Sequence, residues 1–135
     1  MANALYDLGR ESFLKGEISW SADNIKTVLV DTATYTVDFA NHQFLSDIPA
    51  GERVATSANL TTKTTTAGVA DADDVLYTAV EGDQSEALVV YQDTAVASTS
   101  RLIAYIDTAG GLPVTPNGGD IAITWDTGAN KIFKL

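Results

Sequence analysis

Eighteen carboxylates, one histidine and no cysteine set the chemical repertoire of this chain. His42 lies between Asn41 and Gln43 and has no cysteine or second histidine with which to build a nucleophilic dyad. A zinc site on it would have to borrow carboxylates, so it reads as a structural or exposed side chain. Asp71, Asp73 and Asp74 repeat the alternate-carboxylate spacing of calcium loops. The glycine of the sharp turn and the closing bidentate glutamate are missing, so a solvated turn is the better reading. Asp-Thr recurs at 31–32, 93–94, 107–108 and 126–127. Paired carboxylates could serve glycoside hydrolysis, yet each aspartate closes an apolar run, where a short side chain bonding back to the backbone ends a strand. Gly110-Gly111 and Gly118-Gly119 lack the spacing of a phosphate-cradling loop and the lysine and hydroxyl that follow one. Trp20 and Trp125 could stack on a sugar, but ordinary core packing accounts for them. The expectation is a non-enzyme with no catalytic residue, no metal ligand and no cofactor.

The elements that would position these residues are strands. Leu88–Tyr91, Leu102–Ile106 and Ile121–Trp125 are each four or five residues long and rich in β-branched or aromatic residues, which suits strands and is too short for helices of ordinary length. The first two are continuous apolar runs and predict strands covered on both faces. The third alternates, with Ile121, Ile123 and Trp125 inward and Ala122 and Thr124 toward solvent or a neighbour. Ile25–Val30 and Val75–Val80 read as further strands. Glu17–Trp20 and Tyr35–Phe39 alternate like half-buried strands, and Lys131–Leu135 like a final edge strand. Residues 40–52 form a packed loop anchored by Phe44, Leu45 and Ile48, with room for one helical turn. Residues 53–66, rich in threonine, fit either an edge strand or a loop. Two prolines and four glycines exclude a central strand from 110–119, although Leu112 and Val114 give that loop something to rest on the core.

One helix is predicted, over residues 3–15. Asn3 would cap it, Leu5, Tyr6, Leu8, Phe13 and Leu14 would form a partial apolar stripe, and Gly16 would stop it. Gly9 costs such a helix about 1 kcal/mol relative to alanine, so it needs a surface to dock on. The division that follows is an N-terminal helix and arm, 1–16, and one β domain, 17–135. The fold class is mainly β: a two-layer antiparallel sandwich or jelly roll with one short N-terminal helix.

With 135 residues the chain has the size of one domain that exposes roughly 7,000 Å² when folded. A net charge of −10 makes nucleic acid and anionic membranes poor partners. No apolar run approaches the roughly 20 residues of a membrane span. The first residues carry no signal-peptide pattern, so synthesis in the cytoplasm and a soluble product are expected.

Several stretches together resemble the small virion proteins of tailed bacteriophages. They are Met1–Asp7, Ile25-Lys26 leading to Leu29-Val30-Asp31, and Phe44–Ile48. Tyr91–Thr94, Ser100–Asp107 and Asn117–Asp120 leading into Trp125 complete the set. The resemblance spans nearly the whole chain, and it is to the capsid cement, or decoration, proteins. It implies a jelly-roll fold, attachment to the major capsid protein on the outside of the head at two-fold or three-fold junctions, and self-association as a dimer or trimer. On this reading the protein resides on the outer surface of the virion after synthesis in the host cytoplasm. Candidate partner contacts are Leu5, Tyr6 and Phe13 in the N-terminal arm, and Phe44, Leu45, Ile48, Leu112 and Val114 in the loops. The alternative is a tail or head-fibre component, an adhesin-like module. A small hydrolase or calcium-dependent lectin built on Asp71, Asp73 and Asp74 stands as a third reading.

Overall fold

In the computed structural model, which describes residues 3–135, nine strands and one α-helix follow each other in the chain. They are β1 (Ala4–Leu5), α1 (Asp7–Leu14), β2 (Ile25–Val30), β3 (Arg53–Thr56), β4 (Val69–Ala70) and β5 (Val75–Tyr77), then β6 (Ala87–Gln92), β7 (Leu102–Ile106), β8 (Ile121–Ile123) and β9 (Phe133–Lys134). Five of them form one antiparallel sheet in the order β1-β7-β6-β2-β3. The second layer consists of two short antiparallel ladders, β4-β9 and β5-β8. The molecule is a mainly β sandwich.

The continuous apolar runs sit where residues must be apolar on both sides. Alternate side chains of a strand point to opposite faces, and the register turns that rule into two sets of rows. Leu29, Leu88 and Ile106 line up across the sheet and face the second layer; Val28, Val89 and Tyr105 line up one residue away and face outward. The first face packs on Val75, Tyr77, Ile121, Ile123 and Trp125. The second is covered by an irregular segment that brings in Tyr35, Leu45 and Ile48, with Val37 and Phe39 alongside. Tyr35–Phe39 keeps its inward alternation but pairs with no strand, and Glu17–Trp20 likewise delivers Ile18 and Trp20 to the core from a loop. Residues 40–52 are the packed loop expected, with two 3-10 turns, Leu45–Asp47 and Ala50–Glu52. The accessible surface, 6559 Å², is no larger than the mass requires, so the loops lie down on the strands.

The N-terminal segment departs from expectation. The helix begins at Asp7, because Ala4 and Leu5 pair with Tyr105 and Ala104 at the margin of the sheet. Extended backbone sends Leu5 into the inner core and Tyr6 into the outer one, which two consecutive residues of a helix do not do. Asn3 caps no helix. Its side-chain oxygen accepts the Asp107 N–H at 2.8 Å and its amide donates to the Thr108 hydroxyl at 2.6 Å. Residues 4–14 are therefore a strand and a helix packed on the sheet.

The docked face of α1 is made of small residues. Gly9 and Ser12 are its buried positions, whereas Leu14 is 89% exposed. A Cβ on Gly9 would lie 2.5 Å from the Leu102 carbonyl oxygen and 3.3 Å from the Ile103 Cα. Glycine here permits a close approach of helix to β7. Gly9→Ala is expected to destabilise the protein by about 1–3 kcal/mol in equilibrium denaturation, because overpacking outweighs the helix-propensity gain of about 1 kcal/mol. A stabilised variant would show that the helix stands off the sheet.

Candidate interaction surface

The polar residues picked out in the sequence are engaged in closing loops. The Asp31, Asp93 and Asp126 carboxylates each accept the backbone N–H two residues on, at 2.9, 3.0 and 3.0 Å, the local bond that ends a strand. The 71–74 turn holds both indoles. Trp125 donates its ring N–H to the Asp73 carbonyl at 3.0 Å and its backbone N–H to the Asp74 carboxylate at 3.0 Å. Trp20 donates to the Asp71 carbonyl at 3.4 Å, and the Asp73 carboxylate accepts the Thr61 and Thr62 hydroxyls. Both tryptophans are buried. Among the described residues, no group of three or more histidines, aspartates and glutamates is gathered in a way that could hold a metal ion. No helix among them is long and apolar enough to cross a membrane.

His42 ends a hydrogen-bonded chain under the outer cover. Its Nδ1 lies 3.3 Å from the Asp38 N–H, which can only donate, and 2.9 Å from the Tyr35 hydroxyl. The ring nitrogen is therefore an acceptor, Tyr35 donates to it, and the Tyr6 hydroxyl donates to Tyr35 at 2.9 Å. The Tyr35 and His42 rings stack with centroids 5.5 Å apart. Burial is the main cause that raises the Tyr6 phenol far above its ordinary 10.0, with Tyr35 adding to it. Burial likewise pushes Tyr35 up to about 12 and Tyr91 up to about 12.

The candidate partner contacts divide in two. Leu5, Tyr6, Leu45 and Ile48 are buried, Tyr6 and Ile48 completely, and they are corrected to core residues, with little or no exposed area to give a partner. The other four, Phe13, Phe44, Leu112 and Val114, are half-buried. The Arg101 guanidinium lies 5.5 Å from the centre of the Phe44 ring, and Arg101 also donates to Glu17 at 2.9 Å. Leu112 and Val114 pack on the inner core, and Val114 exchanges backbone bonds with Ser85 at 2.8 and 2.9 Å. Phe13 stays at the surface, at one wall of an apolar groove.

That groove is the surface which sequence reasoning missed. It is lined by Phe13, Trp20, Val69, Ala70, Phe133 and Leu135 among others. The Phe133 ring packs edge-on to Trp20 at 5.3 Å and tilts against Phe13 at 6.1 Å. Leu135 at its rim is 61% exposed, and Leu14, next to Phe13, is 89% exposed. The signal was present in the helix: Gly9 and Ser12, three apart, mark the packed face, and Leu14 falls off it.

A second cleft, of about 320 Å³, also has Phe133 in its lining. Its walls are Ala4 and Leu5 of β1, Ala104–Ile106 of β7, Arg10 of α1 and Asn130–Lys134 around β9.

The chain matches no protein-family model and no curated protein.

The tyrosines yield a pH prediction. A phenol whose folded pKa is raised above its unfolded value near 10 contributes stability that is intact below pH 10 and lost as pH climbs toward the folded pKa. Stability is expected to fall between about pH 10 and 12, with Tyr6, Tyr35 and Tyr91 forming phenolates only as the protein unfolds. Ultraviolet phenolate absorbance, followed beside circular dichroism, checks this. Phenolate formation by all five tyrosines in the folded protein would contradict it.

Proposed function

We propose that this chain is a cement protein of a tailed-bacteriophage head, bound to the outside of the major capsid protein where shell subunits meet. The observation that carries the reading is the open apolar groove lined by Phe13, Phe133 and the exposed Leu135, with Leu14, next to Phe13 in the chain, exposed as well. Apolar side chains left exposed beside a groove mark a surface made to be covered. The resemblance of Met1–Asp7, Phe44–Ile48 and Ser100–Asp107 to phage virion proteins names the occupant as the shell protein. A net charge of −10 fits a protein that faces away from packaged DNA.

The function would be mechanical. Burying a leucine the size of Leu14 or Leu135 contributes about 1.5–3 kcal/mol. A cement protein that contacts two shell subunits links them, and the second contact forms at high effective concentration. Symmetric junctions would also favour a dimer or trimer of this chain. Many such links, each modest, would raise the pressure at which the shell opens.

Cryo-electron microscopy of the intact particle, together with a binding assay on heads stripped of this protein, tests the proposal. The wild-type chain is expected to appear as ordered density outside the shell and to raise the temperature at which heads release DNA. Leu14→Asp combined with Leu135→Asp is expected to weaken binding at least about tenfold, with an unchanged melting temperature for the free protein. Recovery of the chain only in tail or fibre fractions would overturn the proposal in favour of an adhesin-like module. Full occupancy by the double variant would show that the groove is not the docking surface.

A further inference from the structure

We infer that the cleft between β1 and β9 is a binding site for a short, extended, carboxylate-rich peptide segment of a partner protein. Eight basic residues serve a chain with eighteen acidic ones, and five of the eight are engaged within the molecule. Lys15 pairs with Glu11, Lys26 with Asp93 and Arg101 with Glu17. Arg53 donates to the Ile48 carbonyl and Lys63 to that of Asp23. The remaining three, Arg10, Lys131 and Lys134, pair with no carboxylate among the described residues, and all three line this one cleft. They come from α1 and from both ends of the β9 segment, so the fold, and no run in the sequence, assembles them. Asp126 also lines the cleft, where its carboxylate accepts the Gly128 N–H of its own turn.

Shape selects the ligand class. β1 ends the five-stranded sheet and β9 ends its ladder, so among the described residues each has a lateral edge without a neighbouring strand, the feature that recruits an extended segment. A volume near 320 Å³ stands at the small end of ligand pockets and suits a stretch of about two or three residues. Carboxylates on alternate residues of an extended peptide would fall on one face, toward Arg10, Lys131 and Lys134. The assignment does not depend on the capsid reading; an acidic segment of any partner would serve.

Fluorescence anisotropy on the full chain tests it, with a labelled Glu-Thr repeat peptide as the probe. Comparison probes are the Gln-Thr and Lys-Thr peptides of the same length, oligothymidylate, and inorganic phosphate as competitor. The Glu-Thr peptide is expected to bind at least about tenfold more tightly than the other two peptides, and to weaken as salt is raised. Lys131→Gln combined with Lys134→Gln is expected to reduce that affinity about tenfold or more, while Lys15→Gln combined with Lys26→Gln leaves it unchanged. The salt series on the unaltered protein stands even if the Lys131 variant folds poorly. Equal binding of the Gln-Thr peptide, or undiminished binding by the cleft variant, would overturn the site. Displacement of the probe by millimolar phosphate, or tighter binding of oligothymidylate, would overturn the peptide assignment in favour of a phosphate site.

Discussion

Three strands that are apolar on both faces have to be covered twice. β2, β6 and β7 carry Leu29, Leu88 and Ile106 on one side and Val28, Val89 and Tyr105 on the other, and every one of the six is at most 5% exposed. A single second sheet could satisfy only one of those faces. The inner face receives two short ladders. The outer face receives a segment without regular structure, whose buried side chains Tyr35, Leu45 and Ile48 take the place of a third layer. Most other features of the molecule follow from fastening these two covers. The Asp47 carboxylate accepts the Gln43 and Phe44 N–H groups at 2.7 and 2.9 Å to form one turn of the outer cover, and the Tyr6–Tyr35–His42 chain ties that cover to the N-terminal strand.

Burial on both faces has consequences for function. Residues that looked like anchors for a partner, Leu45 and Ile48 above all, are taken up in holding the sheet. In the 71–74 turn the Asp71 and Asp73 backbone carbonyls hold the two indoles, and the Asp73 and Asp74 carboxylates hold Thr61, Thr62 and the Trp125 backbone. Among the openings the covers leave are the apolar groove around Phe13 and Leu135, and the basic cleft beside β9. Phe133 lines both. One partner surface reaching both would meet an apolar patch and a positive one together, a pairing in which charge guides the approach and apolar burial supplies the affinity.

Much of the architecture was legible in the sequence. The unbroken runs at Leu88–Tyr91 and Leu102–Ile106 announced strands with two covered faces, and the alternation from Ile121 to Trp125 matched an inward and an outward side. The Asp-Thr pairs announced turns because their chemistry is local. Asn3 and the start of the helix were misread, since pairing of Ala4 and Leu5 with β7 is a contact made a hundred residues away. Tyr35–Phe39 kept the period of a strand while lacking a partner to make one. The docking surfaces were hidden for the same reason: Arg10 and Lys134, or Phe13 and Leu135, become neighbours only through the fold.

The most direct test concerns the outer cover, because a loosely held segment there would free Leu45 and Ile48 for a partner and leave one face of the sheet bare. Ile48 and Ile123 are both fully buried, one in each core. Equilibrium denaturation of Ile48→Ala and of Ile123→Ala is expected to show losses of about 2–5 kcal/mol in each case, with the slope against denaturant unchanged. A loss under about 1 kcal/mol for Ile48→Ala, beside a full loss for Ile123→Ala, would contradict the two-cover account.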